Sequence, residues 1–243
     1  MDNSTGRSEN AFVSTQMAKM DREAGKDKPR ISYGRESRKV TDKDLRRVNL
    51  GKTFWMTMAS QIQDKNVRDV VIRYQGRIDE MIRTGSGVLF TGGAGVGKTS
   101  AAACLMKAAI ARGYTAYFVT HDELRELRFD KSNRLFGDGT DGITIKQKIE
   151  RAQLLVLDGF NSTFLTDKSF GTIELESLIN KRNSMMLTTV MTTRAAAFLK
   201  KDEHEDLFEV VRTSMVPMEI KGRNLRDDAR LELRQRVHGG NDE

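Results

Sequence analysis

The segment Gly92-Gly93-Ala94-Gly95-Val96-Gly97-Lys98-Thr99 constrains this 243-residue chain more than any other stretch of it. It fits the phosphate-binding pattern G-x-x-x-x-G-K-[ST], the P-loop. The context agrees: the apolar run Val88-Leu89-Phe90 reads as a buried strand before it, and the Ala-rich residues 98–112 read as a helix after it. Glycines let the backbone wrap closely round phosphate with its N–H groups turned inward. The helix N-terminus adds partial positive charge. Lys98 is expected to reach the β- and γ-phosphates, and Thr99 to give its hydroxyl to Mg²⁺. Gly92, Gly93, Ala94, Gly95, Val96, Gly97, Lys98, Thr99 and Ser100 are the expected ATP-binding residues.

A second element supports the first. Leu154-Leu155-Val156-Leu157-Asp158 is an apolar strand ending in an acid. Downstream of a P-loop, Asp158 is expected to hold the Mg²⁺ ion, directly or through water. Three more apolar runs read as strands: Ala116 to Val119, Met185 to Met191 and Val216 to Ile220. Helical patterns lie between them, over 66–83, from Thr120 or Asp122 onward, and over 143–151, 170–182 and 203–213. Strands alternating with helices predict an α/β fold of the P-loop NTPase type, a five-stranded parallel sheet covered by helices on both faces.

Charge divides the chain. Residues 1–50 carry 12 basic and 8 acidic groups and little hydrophobic periodicity, whereas residues 86–220 are electrically neutral with 17 of each. The expected organisation is therefore a basic, largely flexible partner- or DNA-binding region over 1–50, an ATP-binding core over 51–228 and a polar tail over 229–243. The cluster Phe54-Trp55-Met56 with Met58 is expected to dock the first region on the core. No apolar run is long enough to span a membrane, and the N-terminus has no apolar signal core. With Cys104 as the single cysteine, the cytoplasm is the default compartment. His121, His204 and His238 have no metal-ligand spacing.

These stretches resemble the AAA+ ATPases, and among them the DnaC/IstB-like branch of helicase loaders and transposition helper ATPases. The resemblance covers roughly residues 50–228. It rests on Tyr74 to Met81 with Gly87-Val88-Leu89-Phe90-Thr91-Gly92, on Tyr117-Phe118-Val119-Thr120 with Glu123 to Arg128, and on Val190-Met191-Thr192-Thr193. It also rests on Arg212 and on the closing Gly222-Arg223-Asn224-Leu225-Arg226. It implies ATP bound between neighbouring copies of the chain, with Arg212 as an arginine finger supplied in trans. It further implies a sensor at Thr193 or Arg194, a second sensor at Arg226, and a short C-terminal end without a full helical lid. In the family an apolar strand ending in Asp, here Leu154 to Asp158, is the Walker B motif, and Glu usually follows that Asp. Here Gly159 stands there, and a missing general base typically costs ~10²–10⁴ in rate. Slow hydrolysis with intact binding is the expectation, with Asn161 and Asp167 as possible substitutes.

By this resemblance the partners are a replicative DNA helicase, single-stranded DNA and further copies of the chain, with no membrane. The nearest rival is a transposition helper that binds duplex DNA and a transposase. A rival of another class is a small-molecule P-loop kinase, and a third is a nucleotide-gated DNA-binding protein without real turnover. Several residues have plainer readings. Trp55 with Phe54 reads as a core anchor before a base-stacking platform. Met185, Met186 and Met191 read as core, and Cys104 as a small buried residue. Arg212 has the alternative of a surface ion pair with Glu209. Tyr33, among Arg30, Arg35, Arg38 and Lys39, reads equally as a stacking group for DNA and as an exposed arm residue.

Overall fold

The computed structural model describes residues 37–129, 144–160, 171–194 and 205–227. The expectations on residues 1–36, on Tyr33, on Asn161 and Asp167, and on the tail 229–243 lie outside the described residues. In chain order the elements are α1 (Asp42–Arg47), two 3-10 turns (Lys52–Phe54 and Ala59–Gln61), α2 (Lys65–Gly76), α3 (Ile78–Thr84), β1 (Gly87–Thr91) and α4 (Lys98–Ala111). They continue as β2 (Ala116–Thr120), α5 (His121–Phe129), α6 (Ile145–Arg151), β3 (Leu154–Phe160), α7 (Gly171–Ser184), β4 (Thr188–Thr193), α8 (Glu205–Ser214) and β5 (Met215–Glu219).

The five strands form one sheet in the order β2-β3-β4-β1-β5, and every pairing is parallel. The sheet is expected from the sequence, because β1, β2 and the first four residues of β3 are near-continuous apolar runs and not alternating ones, whereas β4 buries four threonines around Val190 and Met191. Side chains of period two then feed two cores. Val88, Phe90, Phe118, Val156 and Val190 pack with α2, α3 and α4, while Leu89, Val119, Leu157 and Met191 belong to the core that holds residues of α6, α7 and α8. Ala101, Ala102 and Ala103 of α4 are fully buried, so small side chains line the helix that begins at the P-loop.

Both sheet edges are protected. At β2, the Phe118 amide donates to Val48 O at 2.9 Å and Asn49 Nδ2 donates to Phe118 O at 3.0 Å, so the segment after α1 covers that edge. At β5, Pro217 removes a backbone donor from the outer strand.

Four local differences from the sequence reading have physical causes. Residues 66–83 form two helices, broken after Gly76, which is a poor helix former. β4 starts at Thr188, because Met185 and Met186 make a turn with Met186 at φ 53. These two side chains are exposed, and only Met191 is core. Residues 37–50, expected to be largely flexible, belong to the packed unit through buried Leu45, Val48 and Leu50. Finally, Phe54 and Trp55 pack on the core, and Trp55 Nε1 donates to Leu50 O at 2.7 Å, but Met56 and Met58 face solvent.

Arg182 of α7 is fully buried. Its guanidinium donates to the carbonyls of Ile149 (2.8 Å), Glu150 (3.4 Å), Ala152 (2.9 Å) and Thr188 (2.7 Å), and to Thr189 Oγ1 (2.9 Å). It closes the C-terminal end of α6 and ties it to the start of β4. Burial pushes its pKa down to about 9, which leaves it protonated at neutral pH. Arg182→Leu strands these acceptors in the interior, and each buried unsatisfied group costs about 1–3 kcal/mol. The expected loss in urea unfolding is at least about 3 kcal/mol, and a loss below about 1 kcal/mol would show that water replaces the guanidinium.

Candidate functional site

Parallel strands bring their C-terminal ends to one edge of the sheet, and ligands of such sheets bind there. β1 ends at Thr91, the loop follows, and α4 begins at Lys98. Gly92, Gly95 and Gly97 take φ values of 136°, 70° and 102°. Backbone of this handedness turns successive N–H groups toward a common centre. At Gly95 the requirement is also steric, since a Cβ there would stand 1.6 Å from Asn224 Oδ1.

Lys98 is buried and its Nζ donates to Gly92 O at 2.9 Å and to Gly93 O, so the ammonium folds over its own loop. Burial lowers its pKa most. The charges of Arg194 and Arg226 lower it further, and Asp158 opposes them. Thr99 Oγ1 donates to Asp158 Oδ1 at 2.8 Å. Thr192 Oγ1 donates to the same Oδ1 at 2.7 Å and accepts the Gly159 N–H at 2.9 Å.

One hydroxyl and one carboxylate are hard oxygen donors of the kind Mg²⁺ takes together with phosphate oxygens and water. Among the described residues no group of three or more His, Cys, Asp or Glu forms a metal cage. The donor set therefore fits a magnesium ion that arrives with a nucleotide, not one held by protein alone.

Thr192 is the residue that the sequence reading passed over. Thr193, the expected sensor, is buried at the end of β4 and opposes Phe160 in the register. Successive strand residues face opposite sides, so of the pair only Thr192 reaches Asp158. The register of β3 and β4 shifts between Leu157 and Phe160, and Gly159 within that shift has φ 79°. This is a β-bulge with glycine in the left-handed region. Its N–H, turned to Thr192, fixes the hydroxyl that in turn holds Asp158.

The C-terminal segment walls the loop. The Leu225 amide donates to Gly95 O at 3.1 Å, the Ile220 amide to Thr91 O at 2.8 Å, and the Lys221 amide to Asp64 Oδ2 at 3.0 Å. Arg226 is exposed just beyond, and its N–H donates to Asn224 Oδ1 at 3.1 Å. Arg212 is not brought to this site. It lies in the last turn of α8, 3.4 Å from Glu209 Oε2, three residues before β5 starts beside Gly87 at the opposite end of β1.

A sequence profile described as IstB-like ATP binding protein matches residues 40–211. The chain belongs to the IstB-like ATP-binding protein family, within the DnaC/IstB-like AAA+ ATPases. Solved structures share its fold. The DnaC helicase loader is 19% identical with a TM-score of 0.56, the match covering 70% of this chain and 100% of that one. DnaI is 18% identical with a TM-score of 0.55, over 72% and 93%. The replication initiator DnaA bound to AMPPCP and single-stranded DNA is 18% identical with a TM-score of 0.52, over 77% and 56%. No curated protein sequence matches the chain. Among the described residues no helix is long and apolar enough to cross a membrane.

Outer groups that orient a metal ligand typically change metal affinity 10–100-fold when removed. In this IstB-like chain Thr192→Val is expected to raise the Mg²⁺ concentration needed for half-maximal nucleotide binding by about tenfold, and Thr192→Ser to restore it. Titration of magnesium against a fluorescent ATP analogue reads both. Equal midpoints for all three proteins would remove Thr192 from the site.

Proposed function

We propose that this chain is an ATP-dependent assembly protein of DNA replication that loads a replicative helicase onto single-stranded DNA. The observation that supports it most is the nucleotide cradle, Lys98 and the Thr99–Asp158–Thr192 cluster, on a fold shared with the whole of the solved chain of a helicase loader. Lys98 and the loop from Gly92 to Ser100 hold the phosphates. Thr99 and Asp158 hold Mg²⁺, which neutralises phosphate charge when bound. Arg226 stands beside the loop as a second sensor.

Arg212 lies remote from its own P-loop on an exposed helix end, a placement suited to reaching the nucleotide of a neighbouring copy. An arginine supplied in this way makes nucleotide binding and assembly depend on each other. Gly159 offers no carboxylate to activate water, so turnover is slow and the nucleotide acts chiefly as a switch. Such a switch works through a difference in affinity between its two states.

The nucleic-acid contact falls on the basic N-terminal side. Lys43, Arg46 and Arg47 are exposed on α1 at spacings of three and four residues, one face of the helix. Arg46 lies 5.3 Å over the Trp55 ring.

Two experiments test the reading. Light scattering after size exclusion, with ATP·Mg²⁺ and the replicative helicase, is expected to show a joint complex that Lys98→Ala abolishes. Assembly on duplex DNA without the helicase would instead indicate a transposition helper, and no assembly under any condition a small-molecule kinase. Changing Lys43, Arg46 and Arg47 together to Gln is expected to flatten the salt dependence of oligo-dT binding by about 0.7 per lost phosphate contact. An unchanged slope would move DNA contact off α1.

A further inference from the structure

The cluster Phe54-Trp55-Met56 with Met58 divides in the folded chain. Phe54 and Trp55 pack against the core, whereas Met56 is 79% and Met58 58% exposed. Their backbone is nevertheless fixed. Lys107 Nζ, from α4, donates to the carbonyls of Phe54 (3.3 Å), Trp55 (3.1 Å) and Thr57, and the Met58 amide donates to Gln61 Oε1 at 2.8 Å. The carbonyls of the residues on either side of Met56 thus point inward to α4, and both methionine side chains stand in water on an anchored turn. Two apolar side chains held out together in this way mark a contact surface.

The charge around the turn says what covers it. From Leu45 to Gln61 the sequence holds Arg46, Arg47 and Lys52 and no acid. All three cations are exposed, and Arg46 lies 5.3 Å over the ring of Trp55, next in the chain to Met56. Asp44 of α1 is taken up by Arg38, at 2.7 and 2.8 Å, and by the Thr41 amide and hydroxyl. Asp42 is the one further acid of α1, against Lys43, Arg46, Arg47 and Lys52. A polyanion complements such a surface, and the apolar turn beside the cations decides which polyanion. In a duplex the base faces are stacked inside, so these methionines would meet only sugar and phosphate. In a single strand the bases turn out, and their flat faces cover side chains beside the phosphate track. Methionine is among the apolar side chains that contact bases by insertion between them.

We propose that Met56 and Met58 form a base-contact site for single-stranded nucleic acid beside the cations Arg46, Arg47 and Lys52, and that this site makes the chain prefer single strands to duplex. The inference rests on the reading of α1 as a nucleic-acid contact, and adds to it the part that recognises unpaired bases. The two parts differ in their dependence on salt. The cations release counterions when they bind phosphate, and the methionines do not.

The test uses the full-length chain. Met56→Gln with Met58→Gln keeps side-chain length and removes the apolar character, and Met56→Leu with Met58→Leu keeps that character. Fluorescent oligo-dT and a fluorescent hairpin duplex are titrated with each protein across a series of salt concentrations. The Gln pair is expected to bind oligo-dT about tenfold more weakly at every salt concentration, the order of one lost base contact. Its salt slope is expected to match wild type, and its affinity for duplex to change by less than about twofold, because no phosphate contact is removed. The Leu pair is expected to bind as wild type does. Equal losses on oligo-dT and duplex, or no loss on oligo-dT, would overturn the base contact. Unchanged DNA binding together with loss of the joint complex with the helicase would overturn it in favour of a protein partner on this turn. The reading of α1 is judged separately, by the salt slope of the variant with Lys43, Arg46 and Arg47 changed to Gln. Failure of wild type to bind oligo-dT at all would overturn both.

Discussion

One carboxylate oxygen, Asp158 Oδ1, joins the parts of the site. It accepts a hydroxyl from Thr99 at the start of α4 and another from Thr192 at the end of β4. Those hydroxyls come from two elements that meet only because the sheet runs β2-β3-β4-β1-β5, with the loop-bearing strand beside the strand of Thr192. Without the parallel order the three side chains would be scattered along 94 residues of sequence. With it, a strand end, a helix start and a bulge converge on one atom. The apolar strands supply the free energy that holds this edge together, and the polar cluster sits where their backbones run out.

Much of this was legible in the sequence. The P-loop and Asp158 could be placed because each is a short local pattern with a strand attached. The sheet could be placed because β1, β2 and the start of β3 are apolar on both faces, although β4 carries only Val190 and Met191 among its buried threonines. What escaped is non-local. Two adjacent threonines, Thr192 and Thr193, look equivalent as letters, and only the strand's alternation and a shift in its neighbour's register decide which one faces Asp158. Arg182 reads as an ordinary charged residue at the end of α7. Its burial follows from carbonyls that α6 and β4 leave unsatisfied, which are brought together only in the folded chain. Met185 and Met186 show the converse: apolar letters that extend a strand pattern but sit in a turn.

The segment before the sheet also has a structural task that its charge conceals. Residues 45–50 fill part of one core and satisfy the edge of β2, and Lys107 of α4 donates to the carbonyls of Phe54, Trp55 and Thr57. A basic composition led to an expectation of flexibility, yet Leu45, Val48 and Leu50 are enough to anchor the stretch. The cations of α1 are consequently presented from a fixed position on the ATP-binding unit, beside Trp55, and do not move independently of it.

The bulge at Gly159 has a consequence for how this lineage could change. The position after the Walker B acid is not merely occupied by a small residue. Its backbone is left-handed at φ 79°, a conformation that costs a residue with a Cβ about 1 kcal/mol or more, although the space around it is open. Replacing this glycine by glutamate would therefore meet resistance from the main chain and not from crowding. To accommodate it in ordinary strand geometry, β3 would have to give up its extra residue and slide its register against β4, withdrawing the amide that now orients Thr192. The glycine after Asp158 is thus recorded in the course of the polypeptide as well as in its missing side chain, and placing a carboxylate there means redrawing a strand.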